Sequence, residues 1–185
     1  MPTQTLEHTT TLRASIDKTN LAEGTIMGVA AQYGVPIERG FNIFEQIQAG
    51  AFKAQVGAPN RVMVLWQHDR DNPIGRALSL DDGTSELRFT AKISEHADVP
   101  EARKALALLR EGIVDEVSVG FDWGTWSEKR EGDKMTIMHT KARLREFSVV
   151  TFGALGRGAR VVTVANEQLK SEALAYRARL ARLNS

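Results

Sequence analysis

The sequence predicts a mixed β/α domain: an antiparallel β-barrel of about seven strands surrounded by a few helices, with a two-sheet sandwich as the alternative packing. Three observations lead there. Short runs of alternating or β-branched apolar residues recur between Gly, Pro, Asn and Asp clusters. One body segment, near residues 99–111, carries a full helical stripe. The 185 residues, 42% hydrophobic and 25% charged, are enough to bury a core but would crowd two full domains.

The elements follow in order. Residues 1–20 read as a loose leader with a first strand near Thr10–Ile16. Thr25–Tyr33 is a strand bounded by Gly24 and Gly34. GVPIERG is a polar excursion, after which Phe41, Phe44 and Ile47 take helical spacing and predict a turn or two of helix before Gly50. Arg61–Gln67 is a core strand that breaks into QHDRDNPIG, whose composition is turn chemistry. Ile74–Leu80 and Ser85–Ile93 flank the hairpin signal Asp81-Asp82-Gly83-Thr84.

The stripe Ala102, Ala105, Leu106 and Leu109 predicts a helix over Val99–Glu111, with Asp98 as its cap, Pro100 in the first turn and Gly112 after its end. In EVSVGF, Val117, Val119 and Phe121 alternate with Ser118, so a strand places the serine on the opposite face. Strands are expected near Trp123–Lys129, Met135–His139 and Leu144–Thr151, then a glycine-rich loop and a strand over VVTVA. From Asn166 to Ser185 a seam of Leu169, Ala173, Tyr176, Leu180 and Leu183 predicts an amphipathic helical tail. The expected organisation is a leader over 1–20, one domain over 21–165 and the tail over 166–185.

Composition narrows the chemistry. A net charge of +1 gives no bulk pull toward nucleic acid or an anionic membrane, and no apolar run reaches the ~20 residues of a membrane span. The polar, Thr-rich start lacks a signal peptide's pattern, which points to a cytoplasm. With no cysteine, a covalent nucleophile must be Ser, Thr, Lys or a carboxylate. The four histidines lie outside metal-ligand spacings and no phosphate-binding glycine motif is present, so neither metal nor cofactor is expected.

Acyl transfer by a serine remains, which needs an imidazole base, a group to orient it and N–H donors for the oxyanion. His68, Ser118 and Glu146 each fall on a short strand or its end, where a scaffold could hold them. Taken alone, each also suits a plainer role: a turn histidine, a solvent-facing strand serine and a strand carboxylate.

GAF at 50–52, VLWQHDRDNPIGRA at 64–77, EVSVGF at 116–121 and LREFSVVTFGA at 144–154 together resemble the prohead (capsid maturation) serine proteases of tailed phages. That family is similar in fold to the herpesvirus assemblins. The resemblance implies Ser118 as nucleophile, His68 as general base and Glu146 as the third member, with His139 as the rival orienter. A Phe152-Gly153-Ala154 stretch stands where the family commonly has Pro-Ala; in assemblins the oxyanion donors come from an arginine-containing loop after the third triad strand, and the resemblance puts Arg157 and Arg160 in comparable territory.

The resemblance further implies action within the procapsid in the host bacterial cytoplasm, with scaffold and major capsid protein as partners and substrates. It also implies self-cleavage and a possible homodimer. The competing expectations are a catalytically inactive assembly factor that binds coat or scaffold protein, and a serine hydrolase of small esters.

Overall fold

A computed structural model describes residues 24–155 and 158–164, which form one compact unit. The leader, its Thr10–Ile16 strand and the tail helix expected at 166–185 lie outside the described residues, as does Arg157.

The strands are β1 (Thr25–Gln32), β2 (Ile37–Gly40), β3 (Ile43–Ile47), β4 (Met63–Trp66), β5 (Asp69–Asp82), β6 (Glu86–Ile93), β7 (Glu116–Glu131), β8 (Lys134–Val150) and β9 (Arg160–Val164). Short helix α1 (Lys53–Val56) and a 3-10 turn (Pro59–Arg61) precede β4, and α2 (Pro100–Arg110) joins β6 to β7. The sheet runs β2-β3-β8-β4-β5-β6-β1-β9-β7, and β7 pairs back on to β8. That last pairing closes a barrel of seven strands, as the sequence predicts, with β2 and β3 attached outside the closure.

The barrel is mixed rather than antiparallel throughout. β4 runs parallel to the C-terminal half of β8, pairing Met63 with Glu146 and Trp66 with Val149. Parallel neighbours need a long connection, and the chain from β4 through α2 to β8 supplies it.

Inward-facing Ile26, Val64, Ile74, Leu87, Ile93, Val117, Phe147 and Val149 fill the interior, with Phe89 packed on Phe147 at 4.3 Å between ring centroids. α2 covers the barrel with the stripe read from sequence: Ala102, Ala105, Leu106 and Leu109 are its buried residues. Its N-cap is Val99 with no side-chain cap, not Asp98, and Gly112 follows its end at φ 69°. That left-handed conformation favours glycine.

Four further local expectations are corrected. Residues 41–48 hold strand β3 in place of a helical turn, because the buried positions are Glu45 and Ile47, which alternate, while Phe41 is 90% exposed. The polar excursion before it contains edge strand β2. QHDRDNPIG is mostly strand: the turn is only Gln67-His68, and the Asp, Asn and Pro form a bulge, since Trp66 pairs with Asp69 but Leu65 pairs with Pro73. The bulge is tied by Asp69, whose carboxylate accepts from the Asp71 amide and the Asn72 side chain at 2.9 and 2.6 Å. Finally, the strands expected across 116–151 fuse into one long hairpin, β7 and β8, bent by irregularities at Gly120/Phe121 and between Trp123 and Trp126.

Candidate active site

The three residues singled out from sequence lie more than 25 positions apart and meet because β8 has β4 on one side and β7 on the other. On the β7 side, Ser118 pairs with Ser148 and Gly120 with Glu146. Residues directly opposite in an antiparallel pair project to the same face, about 5 Å apart at Cβ. Ser118, Ser148, Gly120 and Glu146 therefore share one face, while Val117, Phe147 and Val149 point into the core.

On the β4 side the strand ends in a two-residue turn at Gln67 and His68, with φ of 55° and 60° between the paired Trp66 and Asp69. Successive positive φ values are those of a type I′ hairpin turn, which normally takes Asn-Gly because a side chain strains it. Strain of this kind, about 1–3 kcal/mol per residue, persists only where surroundings hold it and gathers at functional sites. β8 and the segment just after it supply the hold. The Gln67 amide donates to the Val149 carbonyl at 3.0 Å, and its side chain donates to the Thr151 hydroxyl at 2.9 Å and accepts from the Thr151 amide at 3.3 Å.

The turn folds His68 back over β8. The His68 amide donates to Ser148 Oγ at 3.1 Å, and His68 Nδ1 lies 2.8 Å from Glu146 Oε1. Ser148 Oγ in turn donates to Glu146 Oε2 at 2.6 Å. The Glu146 side chain is 12% exposed and the imidazole 43%, so the carboxylate is sheltered while the ring remains open to a substrate. The hydrogen bond that His68 Nδ1 donates to Glu146 raises the imidazole's pKa above its ordinary value; partial burial opposes this and the carboxylate's charge reinforces it.

Gly120 belongs to the same assembly. A Cβ there would lie 2.1 Å from Glu146 Oε1, so the carboxylate rests in space that only glycine leaves free. The glycine of the EVSVGF block thus has a physical task that spacing alone did not reveal.

Ser118 is half-buried and borders a small cleft whose walls include Ile37 and Arg39 of β2, Phe121, Ala154 and Leu155. Among the described residues its hydroxyl makes no hydrogen bond, to His68 or to any other group. Catalytic hydrogen bonds are often loose before substrate binds.

His139 is elsewhere engaged. It is fully buried, with Nε2 2.8 Å from Glu45 Oε1 and with Phe121 and Trp123 edge-on to its ring. Glu45 also accepts from Arg39 Nε at 2.7 Å. The group on the His68 ring is therefore Glu146, not His139. Arg160 lies in β9, opposite Glu116 and Val29, rather than in the glycine-rich loop.

A family model of caudovirus prohead serine proteases matches residues 10–172 of the 185. The chain belongs to this family. It is a prohead protease, a serine endopeptidase of phage capsid maturation that acts inside the procapsid in the host cell. As such it associates with procapsid proteins. No curated protein matches the chain in sequence. Among the described residues of this prohead protease, no helix is long and apolar enough to cross a membrane.

Proposed function

We propose that Ser118 is the nucleophile of this protease, His68 its general base and Glu146 the group that orients the base. The observation that carries this reading is the His68 Nδ1 to Glu146 bond at 2.8 Å, set over the strand that lies beside Ser118. With Nδ1–H committed to the carboxylate, Nε2 is left with its lone pair, the tautomer that accepts a proton from a serine hydroxyl.

The steps follow. Ser118 Oγ attacks the scissile carbonyl carbon and its proton passes to His68 Nε2. Glu146 stabilises the imidazolium so formed. The imidazolium then protonates the leaving amine as the C–N bond breaks, and a water, deprotonated by the same nitrogen, hydrolyses the ester on Ser118.

The substrates in this reading are the scaffold protein, or the scaffold-like part of the coat protein, and the protease itself. Co-expression with the cognate coat and scaffold proteins tests it, with fragments read by intact mass. Wild type is expected to process them and a folded Ser118→Ala chain to leave them whole. Equal processing by both would overturn the assignment.

A further inference from the structure

The Ser118, His68 and Glu146 reading leaves Ser148 without a task, yet Ser148 touches two of the three catalytic elements. It is fully buried, on the face of β8 opposite the core residues Phe147 and Val149. It lies across from Ser118 in the sheet. A hydroxyl has one proton to give and two lone pairs to offer. Here the proton goes to Glu146 Oε2 and one lone pair takes the His68 amide.

Each bond fixes something that would otherwise move. A carboxylate held at one oxygen can swing about its terminal torsion, and the second bond leaves Oε1 pinned toward His68. The parallel ladder between β4 and β8 ends with the Gln67 amide on the Val149 carbonyl. The next amide, that of His68, sits in the left-handed turn and is taken up by a side chain instead. Backbone and imidazole of His68 are thus both referred to one point on β8.

We propose that Ser148 is a positioning residue of the protease: its hydroxyl locks the Glu146 carboxylate and the His68 turn together, and so aims the imidazole at the neighbouring strand that carries Ser118. This rests on the catalytic assignment given above. Ser148 acts through Glu146 and His68, the two residues its hydroxyl bonds reach.

The test uses the full chain and a biotinylated fluorophosphonate, following the rate of covalent labelling. Ser148→Ala is expected to label about 10- to 100-fold more slowly than wild type, the usual cost of a loosened catalytic group. The same change made in Glu146→Gln is expected to slow labelling by a clearly smaller factor than in wild type, because the carboxylate bond is already gone and only the bond to the His68 amide is left to lose. A merely structural serine would cost the same factor in both backgrounds. Ser148→Thr, which keeps the hydroxyl, is expected to recover most of the rate. Should Ser148→Ala not fold, Ser148→Cys, a weak donor of similar shape, is expected to show the same slowing.

Wild-type labelling rates in Ser148→Ala or Ser148→Cys, with Ser118→Ala unlabelled, would overturn the positioning role alone. Undiminished labelling of Ser118→Ala would overturn the catalytic assignment beneath it.

Discussion

At Gly120 a single missing atom decides where a carboxylate lies. Because a Cβ would stand 2.1 Å from Glu146 Oε1, Gly120→Ala must push the carboxylate off His68 or shift β7 against β8. The expected result is a loss of about 100-fold or more in kcat with the fold retained, checked by turnover beside circular dichroism. The pH dependence of phosphonate labelling reports the same contact. With His68 as the proposed base, labelling needs the neutral imidazole, so the rate is expected to rise with pH through the histidine's pKa, which Glu146 holds above the ordinary 6.5. In Glu146→Gln the acid limb is expected to move down toward 6.5 and the maximum rate to fall. An unmoved limb would mean that Glu146 does not govern the base.

The turn between β4 and β5 shows an element bent to a purpose. Gln67 and His68 occupy left-handed positions that suit Asn-Gly, and the cost is offset by the bonds of Gln67 to Val149 and Thr151. Gln67→Ala keeps the strain and removes the side-chain bonds. It is expected to cost about 1–2 kcal/mol in chemical denaturation and to lower kcat more than it raises KM, since the turn carries the proposed base.

Legibility in the sequence also divides by element. The stripe of α2 is plain because its buried residues Ala102, Ala105, Leu106 and Leu109 keep strict helical spacing, and strands with β-branched alternation, such as β1 and β6, are equally so. In β3 one of the two buried residues is Glu45, whose partners Arg39 and His139 lie on other strands, so local apolar spacing points to the wrong period. The Asp-Asn-Pro cluster after His68 has the composition of a turn but forms a bulge, a distinction set by pairing with β4. Glu146 and His68 were legible only through the order of motifs along the chain. Ser148 and Gly120 carry no signal of their own, since what marks them is a contact across β8.

For the molecule as a whole, barrel closure is what makes the site. β8 between parallel β4 and antiparallel β7 brings positions 68, 118 and 146 to one face, and no shorter stretch of chain contains the constellation. The buried pair His139 with Glu45 belongs to the architecture: it joins β8 to β3 outside the barrel closure. His139→Phe, packed among Phe121 and Trp123, leaves Glu45 without that partner. It is expected to cost about 1–3 kcal/mol of stability while leaving kcat within about threefold, measured by urea unfolding and turnover. A collapse of kcat in a stable His139→Phe chain would return that histidine to the catalytic set.

The most direct measurement is to locate the adduct left by a serine-directed fluorophosphonate, by peptide mapping of the intact, folded chain. The account predicts one modified residue, Ser118, with labelling slowed by at least about 100-fold in His68→Ala. An adduct on another residue, or equal labelling without His68, would contradict it.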